Sequence, residues 1–213
     1  MHLLQKQKET INGRKVIYHG RLEGGLKVIP AHKCKHDKAY VYASNNIALC
    51  IIFAVKRKGE NIDFGVGPLG KTYIKEFYEG GLEDRFSKRK CYLYKLPEDR
   101  FTLETEYIER VSPTDVEVLA VEEIPDSLEF LLKLEKEKKI KIYRYKDMTK
   151  KQKLEAESEL IKRLKAYANF VPLKDSEYKK LTGEAKLSYD IKKERYDFCI
   201  NKFPDLMRKI CNK

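Results

Sequence analysis

Val16-Ile17-Tyr18-His19-Gly20 and, about two dozen residues later, Tyr40-Val41-Tyr42-Ala43-Ser44 are the two segments on which the fold turns. Both are short, apolar and rich in the β-branched and aromatic residues that favour strands. Each ends on a polar or aromatic side chain just before a loop or helix. Core packing alone does not account for a His-Gly at one strand end and a Tyr-Ala-Ser at another. Tyr40 and Tyr42 share a strand face, because side chains alternate along a strand. Glu106-Tyr107-Ile108 opens a third segment of the same kind.

Working outward, strands are predicted at Lys15–His19, Leu26–Ile29, Ala39–Ala43, Thr72–Tyr78, Cys91–Leu96, Glu106–Arg110, Val116–Glu122 and Lys141–Tyr145. Gly24-Gly25, Gly65 to Gly70, Gly80-Gly81 and Pro97-Glu98-Asp99 punctuate them. Helices are predicted over Asn45–Val55 with Ser44 as N-cap, over Leu82–Lys88, and over Ser127–Lys138, where Asp126 and Glu129 form a capping-box pattern. From about Asp147 strand-formers thin out and Lys, Glu, Leu and Ala dominate. Leu160, Ile161, Leu164, Tyr167, Ala168 and Val171 recur at helical spacing, as do Tyr178, Leu181, Ala185, Tyr189, Tyr196, Cys199, Ile200 and Phe203. Pro172 separates two long helices and Pro204 starts a short last one. The organisation expected is an α+β domain over residues 1–145 and a helical C-terminal extension over residues 146–213.

The chain has 213 residues, enough for a full core without staples. Its net charge is +12 and its pI near 9.3. That balance favours anionic partners such as nucleic acid, nucleotide or an acidic protein surface. Much of the Lys is interleaved with Glu on helical segments, which also reads simply as a soluble surface. Five cysteines without paired spacing argue against a disulfide framework. No apolar run is long enough to span a bilayer, and Met1-His2-Leu3-Leu4-Gln5-Lys6 lacks a signal-peptide core. The expectation is a reduced, cytoplasmic protein.

The three segments, in the order His, Tyr, Glu and each at a strand edge, resemble the triad of the ADP-ribosyltransferase superfamily. The closest likeness is to its His-Tyr-Glu, poly(ADP-ribose) polymerase-like clade, in the form of its small bacterial and phage members. The resemblance covers roughly residues 14 to 145 and also takes in Cys91-Tyr92-Leu93-Tyr94-Lys95-Leu96-Pro97 and Phe101. It implies a split antiparallel β core with a cleft between two half-sheets, NAD as cofactor, and cleavage of the nicotinamide–ribose bond. Such cleavage develops oxocarbenium-like charge and needs a carboxylate near the ribose.

By the same resemblance His19 bonds a ribose hydroxyl and Gly20 pairs through its backbone with the nicotinamide carboxamide. Tyr42 stacks on the nicotinamide, with Phe53 a candidate for its other face. Ser44 completes the second motif, and Cys50 stands where family members carry a nicotinamide-binding Ser. Glu106 is the carboxylate that stabilises the ribosyl cation, with Glu104, Glu109 and Glu79 as alternatives. Arg21, next to the His-Gly pair, is a candidate contact to a phosphate. The acceptor implied is an unidentified protein or nucleic acid, and a toxin or phage-conflict role fits the family. The helical tail has no counterpart there.

Two alternatives stay open. The same fold can serve as a catalytically inactive binding module. The chain can also be a basic nucleotide- or nucleic-acid-binding protein using Gly65-Val66-Gly67-Pro68-Leu69-Gly70-Lys71-Thr72, which matches the phosphate-loop pattern in full. The segment before that loop is too polar for a buried parallel strand, and Pro68 removes an amide, so a glycine-rich loop between strands is expected. His32-Lys33-Cys34-Lys35-His36 carries three potential metal ligands but reads as a polar surface loop; no metal site is expected.

Overall fold

The computed structural model describes residues 9–33, 38–55, 61–67, 70–103, 109–167 and 169–211. The early part of the chain forms β1 (Thr10–Ile11), β2 (Arg14–Arg21), β3 (Val28–Ile29), β4 (His32–Lys33), β5 (Ala39–Ser44) and helix α1 (Ile47–Ala54). Then come β6 (Ile62–Val66), β7 (Thr72–Glu76), α2 (Gly81–Phe86), β8 (Cys91–Pro97), β9 (Thr102–Leu103) and β10 (Glu109–Ser112). β11 (Val116–Glu117), β12 (Ala120–Ile124), α3 (Ser127–Lys136) and β13 (Ile140–Tyr143) follow. The chain closes with α4 (Lys150–Lys165), α5 (Asp175–Tyr178), α6 (Gly183–Lys202) and α7 (Pro204–Cys211). The class is α+β with antiparallel sheets, as expected.

Two compact units are present. The first comprises Met1–Lys56, Val66–Thr72 and Phe86–Lys141; the second comprises Arg57–Gly65, Tyr73–Arg85 and Ile142–Lys213. The division expected at residues 145/146 therefore lies close to where the C-terminal part of the second unit begins. That unit also takes in two earlier stretches of chain.

The first unit is built on an eight-stranded sheet in the order β12-β8-β2-β5-β10-β9, with β1 added to β2 and β4 to β5. Neighbouring ladders are long: six register pairs join β2 to β8, from Val16–Pro97 to Arg21–Tyr92, and four join β5 to β10, from Ser44–Glu109 to Val41–Ser112. Between β2 and β5 the described ladder is one pair, Tyr18–Ser44. On one face Ile17, Val41, Ala43, Tyr94, Leu96 and Phe101 pack with Ile29 and Val116 of the small β3–β11 sheet. Burying each such aliphatic side chain stabilises by about 1.5–3 kcal/mol. Tyr94 also pins the loop after β2: its hydroxyl donates to the Glu23 carbonyl (2.8 Å) and accepts from the Leu26 amide (3.3 Å).

α1 packs on β2, β8 and β5 and against α3. Its sequence, Ile-Ala-Leu-Cys-Ile-Ile-Phe-Ala, is apolar all round, which is the signature of a buried helix. Six of its residues are buried, while Ile47 and Phe53 are half-buried. Its N-cap is Asn46, whose side chain accepts from the Leu49 amide; Ser44, the expected cap, instead accepts from the Asn46 amide through Oγ at 3.0 Å. Two polar residues in succession can each turn the chain into a helix, and the sequence pattern does not choose between them. α3 begins as expected, with Asp126 accepting from Leu128 and Glu129 amides. The single strand expected over Val116–Glu122 is two, β11 and β12, in different sheets.

In the second unit β13, β7 and β6 form a small sheet. β6 (Ile62–Val66) is a strand that the sequence pattern does not predict, and it runs into the glycine-rich loop expected over Gly65–Thr72. Its acidic Asp63 meets Arg163 of α4 at 3.3 Å, which offsets the polarity that masks a strand in the sequence. Ala156, Leu160 and Leu164 of α4, Tyr167, Cys199 of α6 and Met207 of α7 close a core around Phe77. The predicted helical stripes are buried at Leu160, Leu164, Tyr167 and Cys199 and exposed at Val171, Ala185 and Ile200; Ala168 lies outside the described residues. Asn61, fully buried, donates to the Tyr78 hydroxyl, which donates to Asp84 (both 2.9 Å), and Asp84 is 2.7 Å from Lys202 of α6.

Candidate functional site: a fork between β2 and β5

β2 and β5 touch at Tyr18–Ser44 and share no further described pair, so the sheet opens into a fork. One arm is His19-Gly20-Arg21. The other is Val41-Tyr42-Ala43. Alternation from the Tyr18–Ser44 pair assigns Tyr18, Gly20, Tyr42 and Ser44 to the α1 face, and Ile17, His19 and Arg21 to the opposite face. His19 nevertheless reaches across: its Nδ1 lies 2.6 Å from the Tyr42 carbonyl oxygen. A carbonyl can only accept, so Nδ1 carries the proton. The imidazole thus supplies a donor where the strand ladder has run out.

Gly20 is needed for a different reason from ligand approach. A Cβ at this position would lie 2.0 Å from the Cys50 carbonyl oxygen and 2.6 Å from its carbon. α1 therefore sits directly on the glycine. Cys50, fully buried, has its Sγ 3.3 Å from the Tyr18 carbonyl and 3.8 Å from the Ser44 carbonyl. Burial pushes its thiol up to about 12, so it is a protonated donor at neutral pH. Both of these contacts are to strand carbonyls.

Tyr42 is half-buried and meets Tyr40 edge-on, with ring centroids 6.2 Å apart. Phe53 is half-buried on α1. Arg21 pairs with Tyr92 of β8, and its guanidinium lies 3.8 Å from Glu23. Glu106 and Glu104 lie outside the described residues. Glu79 is an exposed residue of the second unit. Glu109 sits opposite Ser44 in the β5–β10 ladder, on the α1 face and diagonal to Tyr42. The structure thus brings Gly20, Tyr42, Ser44, Cys50 and Glu109 together on the α1 side of the junction, with His19 reaching the Tyr42 carbonyl from the opposite face, where Arg21 also lies.

Neighbouring groups are polarised in a consistent way. Tyr18 donates to Glu9 at 2.7 Å, and Lys95 meets the same carboxylate at 2.7 Å. Those two bonds, Lys95 first, hold Glu9 below the usual carboxylate range. Burial and then Glu9 push the Tyr18 phenol far up, so it stays protonated. At the strand ends, Glu98 accepts from Arg110 (2.5 Å) and Asn45 (3.3 Å). Sequence reasoning missed both carboxylates; each joins a partner about ten residues away to one more than fifty residues away.

The phosphate-loop pattern lacks its structural context. Gly67 donates to the Lys71 carbonyl at 2.9 Å and Thr72 opens strand β7, so no helix N-terminus follows the loop. Pro68 and Leu69 lie outside the described residues, as do Cys34 and His36. Among the described residues no three His, Cys, Asp or Glu side chains gather as metal ligands, and no helix is long and apolar enough to cross a membrane. Compared with protein-family models, curated proteins and solved structures, the chain matches none.

Proposed function

We propose that this chain is an ADP-ribosyltransferase of the His-Tyr-Glu type that binds NAD in the fork between β2 and β5. The observation that supports this reading is the hydrogen bond from His19 to the Tyr42 carbonyl, beside the single described pair of β2 and β5. An oriented imidazole, a half-buried phenol ring and a carboxylate at the junction, with a guanidinium on the other face of β2, are groups that suit a dinucleotide. NAD supplies a ribosyl group whose bond to nicotinamide breaks with the electron pair leaving on the ring nitrogen. In this reading His19 and Arg21 hold the ribose and phosphate side. Tyr42 gives the nicotinamide an aromatic face. A carboxylate, Glu106 or Glu109, stabilises the positive charge on the ribose while an acceptor oxygen or nitrogen attacks and releases its proton. The basic balance of the chain, +12, favours a nucleic acid or a nucleic-acid-bound protein as acceptor.

Nicotinamide release from NAD by the purified protein tests this, alongside Glu106→Gln, Glu109→Gln and His19→Ala. Turnover lost in His19→Ala and in one glutamine variant is the expected result. Turnover indifferent to both glutamine variants removes the carboxylate from the mechanism. One observation favours the second reading, a non-catalytic NAD-binding module: the Cys50 thiol is taken up by strand carbonyls. NAD binding without nicotinamide release identifies that case.

A further inference from the structure

We infer that Cys50 is a positioning residue, a clamp that fixes the root of the fork and with it the spacing of His19 from Tyr42. This rests on the fork being the ligand site. Three independent features of the geometry converge on it. The backbone ladder between β2 and β5 is one pair among the described residues, too little to set an angle between two half-sheets. The thiol of Cys50 lies within bonding distance of a carbonyl on each member of that pair, Tyr18 on β2 and Ser44 on β5. The Cys50 backbone in turn rests in the space left by the missing side chain of Gly20. One residue of α1 therefore touches both arms, through its side chain on the pair and through its main chain on the glycine. The one thiol proton has the Tyr18 carbonyl at 3.3 Å and the Ser44 carbonyl at 3.8 Å within reach, so either strand that swings away loses a contact to Cys50. Tyr18 directly precedes His19 and Ser44 lies two residues after Tyr42, so a change at the root is passed to the two residues joined by the imidazole bond within one or two residues.

The test compares wild type, Cys50→Ser and Cys50→Ala by calorimetric titration with NAD and by amide hydrogen exchange. Serine keeps a donor but on a shorter bond from Cβ, so Cys50→Ser is expected to bind NAD with an affinity between those of wild type and Cys50→Ala. Cys50→Ala is expected to bind about fivefold more weakly, the effect of one neutral hydrogen bond. Its amides at residues 19–21 and 41–44 are expected to exchange faster, while those of the β8–β12 ladder stay protected. A folded Cys50→Ala protein with wild-type affinity and wild-type exchange on both arms overturns the clamp. If wild type binds no NAD, the proposed function fails, and the exchange comparison alone still decides the clamp. If Cys50→Ala does not fold, the infrared difference between wild type and Cys50→Ser isolates the Cys50 S–H stretch. A stretch lowered from that of a free thiol supports the clamp, and an unshifted one overturns it.

Discussion

The Nδ1–H of His19 donates to the carbonyl of Tyr42 across the gap where β2 and β5 diverge, at 2.6 Å. A side chain thereby replaces a main-chain donor at a strand junction. His19→Ala removes that donor. The expected cost is about 1 kcal/mol of folding stability, read by urea unfolding. NAD affinity is expected to fall about tenfold, or ~1.4 kcal/mol, read by titration.

Gly20→Ala is expected to be more damaging to the fold than His19→Ala. The new methyl meets backbone atoms of α1, which cannot rotate aside as a side chain can. Overpacking of this kind costs about 3 kcal/mol at the upper end of its usual range. The urea midpoint should drop with little change in slope. Gly25→Ala is the control: nothing lies within 4 Å of its would-be Cβ, but its φ of +78° penalises any side chain by about 1–2 kcal/mol. Equal losses at the two glycines would contradict the close seat of α1.

Glu76 makes a pH prediction within the second unit. Its two carboxylate oxygens accept from the Leu82 and Tyr145 amides, each at 2.9 Å, and it is 3% exposed. Burial raises its proton affinity above the ordinary carboxylate value despite those bonds. The folded state therefore holds the proton more tightly than the unfolded chain. Stability from this group is greatest below the ordinary carboxylate pKa and falls as pH rises through the raised folded value. Glu76→Gln should abolish that fall. It should also lower stability at neutral pH by about 1–3 kcal/mol, because the amide nitrogen faces a main-chain donor. Chemical unfolding between mildly acidic and neutral pH reads both effects.

The four described cysteines differ sharply in reactivity. Cys50, Cys91 and Cys199 are buried and Cys211 is exposed. Burial holds the Cys50 thiol near 12 and also raises Cys91, so neither has thiolate to offer at neutral pH. Iodoacetamide on the native protein, followed by peptide mass mapping, should modify Cys211 and leave the other three. Labelling of Cys50 as fast as Cys211 would mean that α1 is not seated as described.

Local pattern carried much of this fold and little of its pairing. β2, β5 and α1 were legible because alternating or continuous apolar residues are read along one segment. The fork was not, since register depends on where distant strands meet. β6 was missed because Asp63 looks unsuited to a strand until Arg163, a hundred residues away, meets it. His19 and Tyr42 were placed near each other by likeness to a family. Their actual link, imidazole to carbonyl, involves a main-chain atom that no motif displays. Gly20 and Cys50 had been read as facing a ligand, whereas here they face each other. Glu109 is among the alternatives to Glu106 in the sequence, and the ladder with β5 is what sets it opposite Ser44.

The bridge from Asn61 through Tyr78 and Asp84 to Lys202 has a practical consequence for anyone trimming this protein. Shortening it from the end at residue 145 does not shed an accessory. Such a fragment bares Phe77, strips Asp84 of its cation and strands an excursion of chain whose own interior was built from later helices. Expressing the helices by themselves fails in the mirror sense. A faithful dissection has to rejoin residues 57–65 and 73–85 to the stretch from 142 onward.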